Sequence, residues 1–430
     1  AKSSRDVIFK QILSDLETAI GYLYGPGEST FTSTTTRVNK TFAQGLYARI
    51  ALAAAGWALR PDDGCVGTGD EGSVRLSSDP DMAASVLYPK ALAFLKDAIA
   101  SGSASLNPSY ENLWRNFNNL DVKAGGEVLY VIPFGSLRGR WNYTFAIKNE
   151  GATINGYTFS QGGVAGPTPT LYFKYGSNDL RRDVTCANYS WEKSGAITPS
   201  GIARWYFGKY RFEWMNDNPY TGGNDDAVKP VVMRYSDILL MAAEIENELN
   251  GPSADAKSWL LEVRSRAYSG HESEAEEYVA SLSSKDAFFN AIVDERALEF
   301  CGEFLRKGDL IRWNKLSAKL DECKQEMYDL REMKGSFDYL SGDLYWREAA
   351  DGKSVEIYGL AKDQQIAPEG DWEVINGYVK FDDKKKSDLF AEKIENIYLN
   401  TPEQWMYWPI FDNTVDNSQG YIVNDYVYAK

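Results

Sequence analysis

Between residues 288 and 316 the sequence reads FFNAIVDERALEFCGEFLRKGDLIRWNKL, and Glu295, Arg296, Glu299, Glu303, Arg306, Asp309 and Arg312 recur there at three- and four-residue steps. Two kinds of chemistry use such carboxylates. A glycosidase needs two carboxyl groups facing one cleft at a set separation, one with a raised pKa so that it can protonate the leaving group. An ion-pair lattice needs acids and arginines at helix spacing, which Arg296 with Glu299, Glu303 with Arg306, Arg306 with Asp309 and Asp309 with Arg312 all satisfy. An arginine beside a carboxylate lowers its pKa and makes it a poor general acid. The seven residues therefore read as a structural ion-pair network with no catalytic residue among them. Breaking such a pair costs roughly 3–5 kcal/mol if it is buried and about 0–1 if exposed, so Arg306→Ala is expected to damage folding without selectively weakening a ligand.

The rest of the composition narrows the chemistry further. His271 is the one histidine, set in the acidic stretch SGHESEAEE that reads as a connector, so a Ser-His-Asp triad or a multi-histidine metal site has no residues to use. Cys65, Cys186, Cys301 and Cys323 are widely spaced, and no CxxC or Cys/His cluster suggests zinc or iron–sulfur. No cofactor motif is present. The acidic loop TGGNDDA (221–227) offers oxygen ligands for a structural Ca²⁺ but lacks EF-hand spacing. A net charge of −15 argues against nucleic acid, which requires a cationic face, and the short KKK run at Lys384–Lys386 reads as a solvated loop. The apolar run Ile50–Leu59 is about half of the roughly 20 residues that cross a bilayer. Any export signal or lipidation cysteine is expected outside this chain.

Helices must position these groups. Residues 3–23 carry Val7, Ile8, Ile12, Leu16, Ile20 and Leu23 on one stripe behind a capping-box spacing of Ser3 and Asp6. Residues 40–59 form a second helix whose many alanines and Gly45 permit close helix approach, and helices over 82–101, with Pro89 inside, and 109–117 follow. MRYSDILLMAAEIENELNG (233–251), a Gly251-Pro252 turn and SADAKSWLLEVRSRAY (253–268) make a helical pair close to the roughly 34-residue tetratricopeptide repeat length. Residues 317–334 read as another helix. The chain is thus read as one mainly α, tetratricopeptide-like helical-repeat domain over 1–430. N-terminal repeats occupy 1–124, a loop and short-strand excursion 125–230, further repeats 231–334 and a mixed part 335–430.

Long excursions on a rigid scaffold are where ligands are commonly read. With 12 Trp, 27 Tyr and 19 Phe, this chain has the aromatic platforms a sugar's C–H faces would stack on. The candidates in the excursion are Trp141 and Tyr143, Tyr189 and Trp191, and Trp214 with Asn216. Trp205, Tyr206, Lys209 and Tyr210 alternate like a structural strand, and Trp57, Trp259, Trp313 and Trp408 are read as core.

Three ordered blocks resemble the SusD/RagB family of Bacteroidetes outer-membrane nutrient-binding lipoproteins. In RYSDILLMAAEIENELNG, Arg234, Asp237, Leu240, Ala243, Glu244 and Asn247 match the family's helix. LLEVRSRA (260–267) resembles its arginine-rich successor, with Glu262 where asparagine is usual. The opening stretch matches at the seven charged positions and at Ile292, Leu310 and Trp313, with Phe304 replacing the common glycine. The C-terminal WPIFDNTVDNSQGY (408–421) is also similar to the family's ending. The resemblance implies a cell-surface, lipid-anchored protein that binds an oligosaccharide or polysaccharide without cleaving it. It also implies a SusC-like TonB-dependent transporter as partner, over which the protein acts as a lid. It supplies no ligand residues, because those lie in divergent loops. A peptide-binding RagB-type relative and, more remotely, a glycoside hydrolase are the alternatives.

Overall fold

Small side chains let the first helices approach closely. The computed structural model describes residues 2–135, 138–215, 225–340, 344–375 and 384–426. α1 (Arg5–Ile20) is capped by Ser4, whose hydroxyl accepts the Val7 N–H, and packs against α2 (Lys40–Ala55), capped in turn by Asn39. α1 turns Leu13 and Ile20 inward and leaves Val7 and Ile8 exposed, so the buried stripe is rotated from the expected one. Ala43, Gly45, Ala48, Ala51 and Ala54 of α2 are buried. α2 ends at Ala55 rather than near Leu59, because Gly56 is extended and the chain enters β1 (Ala58–Arg60), antiparallel to β2 (Ser73–Arg75). α3 (Ala84–Ala100) runs through Pro89 and packs on α2, and α4 (Tyr110–Asn118) follows.

The excursion comprises β3 (Val128–Val131), α5 (Trp141–Phe145), β4 (Asn149–Ile154), β5 (Tyr157–Gln161), α6 (Pro169–Tyr172), α7 (Arg181–Thr185), β6 (Cys186–Ala187), β7 (Tyr189–Trp191), β8 (Ile197–Pro199), β9 (Tyr206–Phe207) and β10 (Val231–Arg234). β3 and β10 pair antiparallel, Val131 opposite Val231, so the segment leaves and re-enters the helical body at one place. Its four-stranded sheet has the order β5-β4-β7-β8, with β4 and β7 parallel. A separate aromatic core forms beneath it, where Trp114 meets Phe117 at 5.4 Å and Tyr210 at 5.9 Å between ring centres.

α8 (Tyr235–Asn250) and α9 (Ala254–Ala267) form the expected pair, turning at Gly251, whose φ of +78° suits glycine, with Ser253 capping α9. The stretch read as a connector is itself a helix, α10 (Glu272–Ser281): its acids sit in the first turn, where they favour the helix dipole. α11 (Lys285–Glu299), α12 (Arg306–Arg312) and α13 (Leu316–Glu332) complete the helical body. The break between α11 and α12 contains two left-handed residues, Gly302 (φ +81°) and Phe304 (φ +61°), which is why a glycine is natural at position 304.

Beyond it, β11 (Leu344–Glu348) pairs with both β12 (Val355–Tyr358) and β13 (Glu373–Ile375), followed by α14 (Lys384–Glu395) and α15 (Asp412–Asn417). Lys384–Lys386 open α14 instead of forming a loop. The architecture is mainly α. Of the tryptophans expected in the core, Trp259 is buried and Trp313 half-buried with its indole N–H on Glu244. Trp57 and Trp408 are exposed by 36% and 89%, since one follows a helix end and the other lies in irregular chain.

Candidate ligand-binding cleft

The charged stretch forms the floor on which the candidate site rests. Glu299 is fully buried and accepts from Arg181 Nη1 (3.0 Å), Arg234 Nη1 (2.8 Å) and Arg266 Nη2 (2.6 Å). Glu295 accepts from Arg181 (2.6 Å) and Arg264 (2.7 Å), and Glu303 from Arg234 and Lys209. Glu127 joins Arg234 to Arg266, and Asp179 holds Arg181 at 2.7 Å. A second group ties Arg296 to Asp237 (2.6 Å) and Asp309 (2.8 Å), and Arg312 to Asp309 (2.8 Å) and Glu244. Three guanidinium groups hold the Glu299 carboxyl well below its usual range against the opposing effect of burial, and arginines do the same to Asp237 and Asp309.

The partners differ from those that helix spacing suggests. Of the four expected pairs only Asp309 with Arg312 forms; the others are replaced by partners on α7, β10, α8 and α9 and by Lys209 between β9 and β10. Arg306 instead donates to the Val293 carbonyl at 2.7 Å. The left-handed break at 302–304 removes the helical relation between Glu303 and Arg306, and Asp309 is already taken by Arg296 and Arg312.

Against this floor opens a cleft of about 720 Å³, a volume typical of small-molecule sites. One wall is the start of α4, with Ser109, Tyr110, Glu111 and Arg115. A second runs through α7 into β7 and includes Arg182, Asp183, Asn188 and Tyr189. Trp205, Arg211 and Trp214 close the back, and the β11–β12 hairpin supplies Asp351, Ser354 and Glu356. Arg266 and Asp179 belong to both the floor and the cleft lining. At the back, Arg211 Nη1 donates to the Tyr189 hydroxyl (3.0 Å), which donates to Glu213 Oε1 (2.8 Å). Burial pushes the Glu213 carboxyl up despite both partners. The Trp214 ring is approached by the Arg211 guanidinium at 4.2 Å and that of Arg115 at 4.7 Å, each a cation–π contact.

The sequence candidates scatter. Tyr189 and Trp214 line the cleft but are 3% and 4% exposed rather than open platforms, because the segments that read as polar loops are a strand and a short helical turn packed on the aromatic core. Trp191, next but one to Tyr189 along β7, is buried in that core. Trp141 packs against Phe145 and Phe304 away from the cleft, and Tyr143 is half-buried beside Arg140. Asn216, and residues 221–224 of the acidic loop, lie outside the described residues. Of the remaining loop acids, Asp225 pairs with Arg138 and Asp226 accepts the Tyr143 and Val228 N–H groups. Asp226 thus caps α5, and its burial pushes it up to about 7. Among the described residues no cluster of three or more His, Cys, Asp or Glu is placed to hold a metal ion. Sequence reasoning missed Arg115, Arg182, Asp183, Arg211 and Asp351: they converge from four separate segments and form no local pattern, the Glu111–Arg115 step apart.

The chain is thus a helical-repeat body with an excursion folded into a cleft. A SusD family model matches residues 140–428, and the chain belongs to the SusD family. The SusD-like protein P2 of Formosa agariphila is 30% identical over 221 residues, 48% of this chain and 43% of that protein. A SusD homolog from Bacteroides thetaiotaomicron superposes with a TM-score of 0.61 at 22% identity, covering 77% of this chain and 63% of the other. The surface glycan-binding protein A of the same organism, solved with laminarihexaose, gives 0.52 at 17%, covering 97% and 70%. The chain therefore spans less than half of the curated relative it matches. Among the described residues no helix is long and apolar enough to cross a membrane.

Proposed function

We propose that this protein captures an oligosaccharide at the cell surface, held to the outer membrane by a lipid anchor. It then hands the sugar to a SusC-like TonB-dependent transporter that it covers as a lid. The observation that carries the reading is the cleft of about 720 Å³ built by the excursion on a rigid charged floor, in a chain of the SusD family. Relatives of this fold include a surface glycan-binding protein in complex with laminarihexaose, which supports a sugar as the ligand class. Binding without cleavage is the reading that membership of the SusD family supports, and in the cleft Glu111, Asp183 and Glu356 each sit against an arginine. The hand-over requires only that the loaded cleft face a transporter mouth.

Titration calorimetry with a glycan panel and a peptide panel tests the first step. Saturable heat with a glycan and intact ligand after prolonged incubation supports the reading; saturable heat with peptides alone, or shortened products, refutes it. Co-purification with a TonB-dependent barrel transporter of the SusC type tests the second.

A further inference from the structure

The charges that line the cleft point to a ligand class. Arg115, Arg182, Arg211 and Arg266 supply the cations; Glu111, Asp179, Asp183, Asp351 and Glu356 the anions. Each cation is already engaged by the protein. Arg115 lies on Glu111 (2.6 Å) and Arg182 on Asp183 through two donors (3.0 and 3.1 Å). Arg211 gives its three nitrogens to the Gly208 carbonyl, the Tyr189 hydroxyl and the Asp183 carbonyl. Arg266 lies between Glu127 and Glu299, 4% exposed as a side chain. On the acidic side the balance is looser: Asp183 is 70% and Glu111 47% exposed, and Asp351 takes only the Lys353 backbone N–H and the Ser354 hydroxyl among the described hydrogen bonds. Lys353, at the hairpin turn, donates at 3.4 Å to the Glu213 carbonyl.

We propose that the cleft selects a neutral oligosaccharide and rejects uronic-acid or sulfated chains, an inference that rests on the glycan-binding reading above. Sugar hydroxyls donate to carboxylates in charge-assisted bonds, and Asp183, Glu111 and Asp351 are exposed and keep lone pairs beyond those their protein partners use. A uronate or sulfate group must instead find a guanidinium, and each one in the wall is already shared with an internal partner. It would also face the like charge of five wall acids, and like-charge juxtaposition is an effective means of discrimination. The chain's net charge of −15 acts in the same direction at long range.

Affinity electrophoresis of the folded chain tests this in gels that contain neutral polymers (glucan, mannan, xylan and galactan) or anionic ones (polygalacturonate, alginate and a sulfated galactan). Retardation by at least one neutral polymer, at least tenfold stronger than by any polyanion and little changed between low and moderate salt, is the expected result. Equal or stronger retardation by a polyanion overturns the inference and leaves the glycan-binding reading standing; no retardation by any polymer overturns both. Asp183→Asn frees the Arg182 fork and should raise the ratio of polyanion to neutral affinity at least threefold. An unchanged ratio in a folded variant counts against the charge argument itself.

Discussion

Replacing Glu299 with glutamine isolates the worth of the charged floor. Glutamine keeps the size and one acceptor oxygen, but it removes the charge and aims an NH₂ at guanidinium donors. In the wild type the carboxylate takes bonds of 3.0, 2.8 and 2.6 Å from Arg181, Arg234 and Arg266 with no exposure to solvent. Breaking a buried pair on one side leaves cations without compensation and costs about 3–5 kcal/mol. With an unfolding entropy of roughly 2.1 cal/mol/K per residue, a cooperative unit of this length unfolds with about 0.9 kcal/mol/K, so the expected fall in Tm is about 3–6 °C. Glu248→Gln is the control: its pair with Lys285 at 3.0 Å is about half exposed, and its loss is expected to shift Tm by less than about 1 °C. Differential scanning calorimetry of both variants decides the matter. If Glu299→Gln melts within a degree of wild type, or no lower than Glu248→Gln, the floor does not carry the stability assigned to it.

Acid should weaken the same floor with a defined sign. Glu299, Asp237 and Asp309 have folded pKa values below their ordinary ones, so their contribution is complete above the unfolded range near about pH 4–4.5 and disappears as pH falls toward the folded values; urea titrations should show stability falling below about pH 4, whereas Asp226, raised to about 7, acts in the opposite sense and takes stability away as pH rises from about 4 through 7. Arg306→Ala should cost only about 1 kcal/mol by chemical denaturation, since it removes one bond to the Val293 carbonyl; a loss comparable to Glu299→Gln would restore Arg306 to the lattice. At Phe304 the two truncations should separate: alanine keeps the left-handed strain and loses the ring contacts with Trp141 and Phe145, while glycine relieves about 1 kcal/mol of strain, so glycine should be the more stable of the two in thermal melts. Gly166→Ala should destabilise by about 1–3 kcal/mol and weaken ligand binding as well, because the new Cβ collides with the backbone carbonyl of Trp205 at the back of the cleft; a variant with unchanged calorimetric affinity would detach that residue from the site.

The helical body could be read in the sequence because its signals are local. Apolar periodicity, the Gly251 turn and the Ser253 cap each act within one or two helical turns, and they place α8 and α9 to within a few residues. The charged stretch was readable as a set but not as a set of pairs. Helix spacing tells which residues could meet along one helix, whereas Glu299 meets arginines 33, 65 and 118 positions away. The excursion was harder still. Tyr189 and Trp191 looked like loop aromatics among Asn, Ser and Lys, but the strand places both in the core, since burial there is set by a sheet whose strands come from 149–199.

That difference bears on how the site is built. Arg266 and Asp179 are each held by the floor and each also line the cleft, so the scaffold's ion pairs fix the base of the site directly rather than through intervening layers. Above that base the wall is assembled from residues such as Asp183 on α7 and Asp351 in the β11–β12 hairpin, whose side chains can change without touching the lattice. A buried lattice is costly to alter at any single position, because each member has partners on several elements. A change of side chain in the wall thus leaves the geometry of the floor intact. On this view a double-mutant cycle between Glu299→Gln and Asp183→Asn should show additive stability effects within about 0.5 kcal/mol. The cycle measured on ligand affinity should not be additive, since a loosened Arg266 and a freed Arg182 meet in the same cleft. Additivity in both would mean that the floor supports the fold without shaping the site.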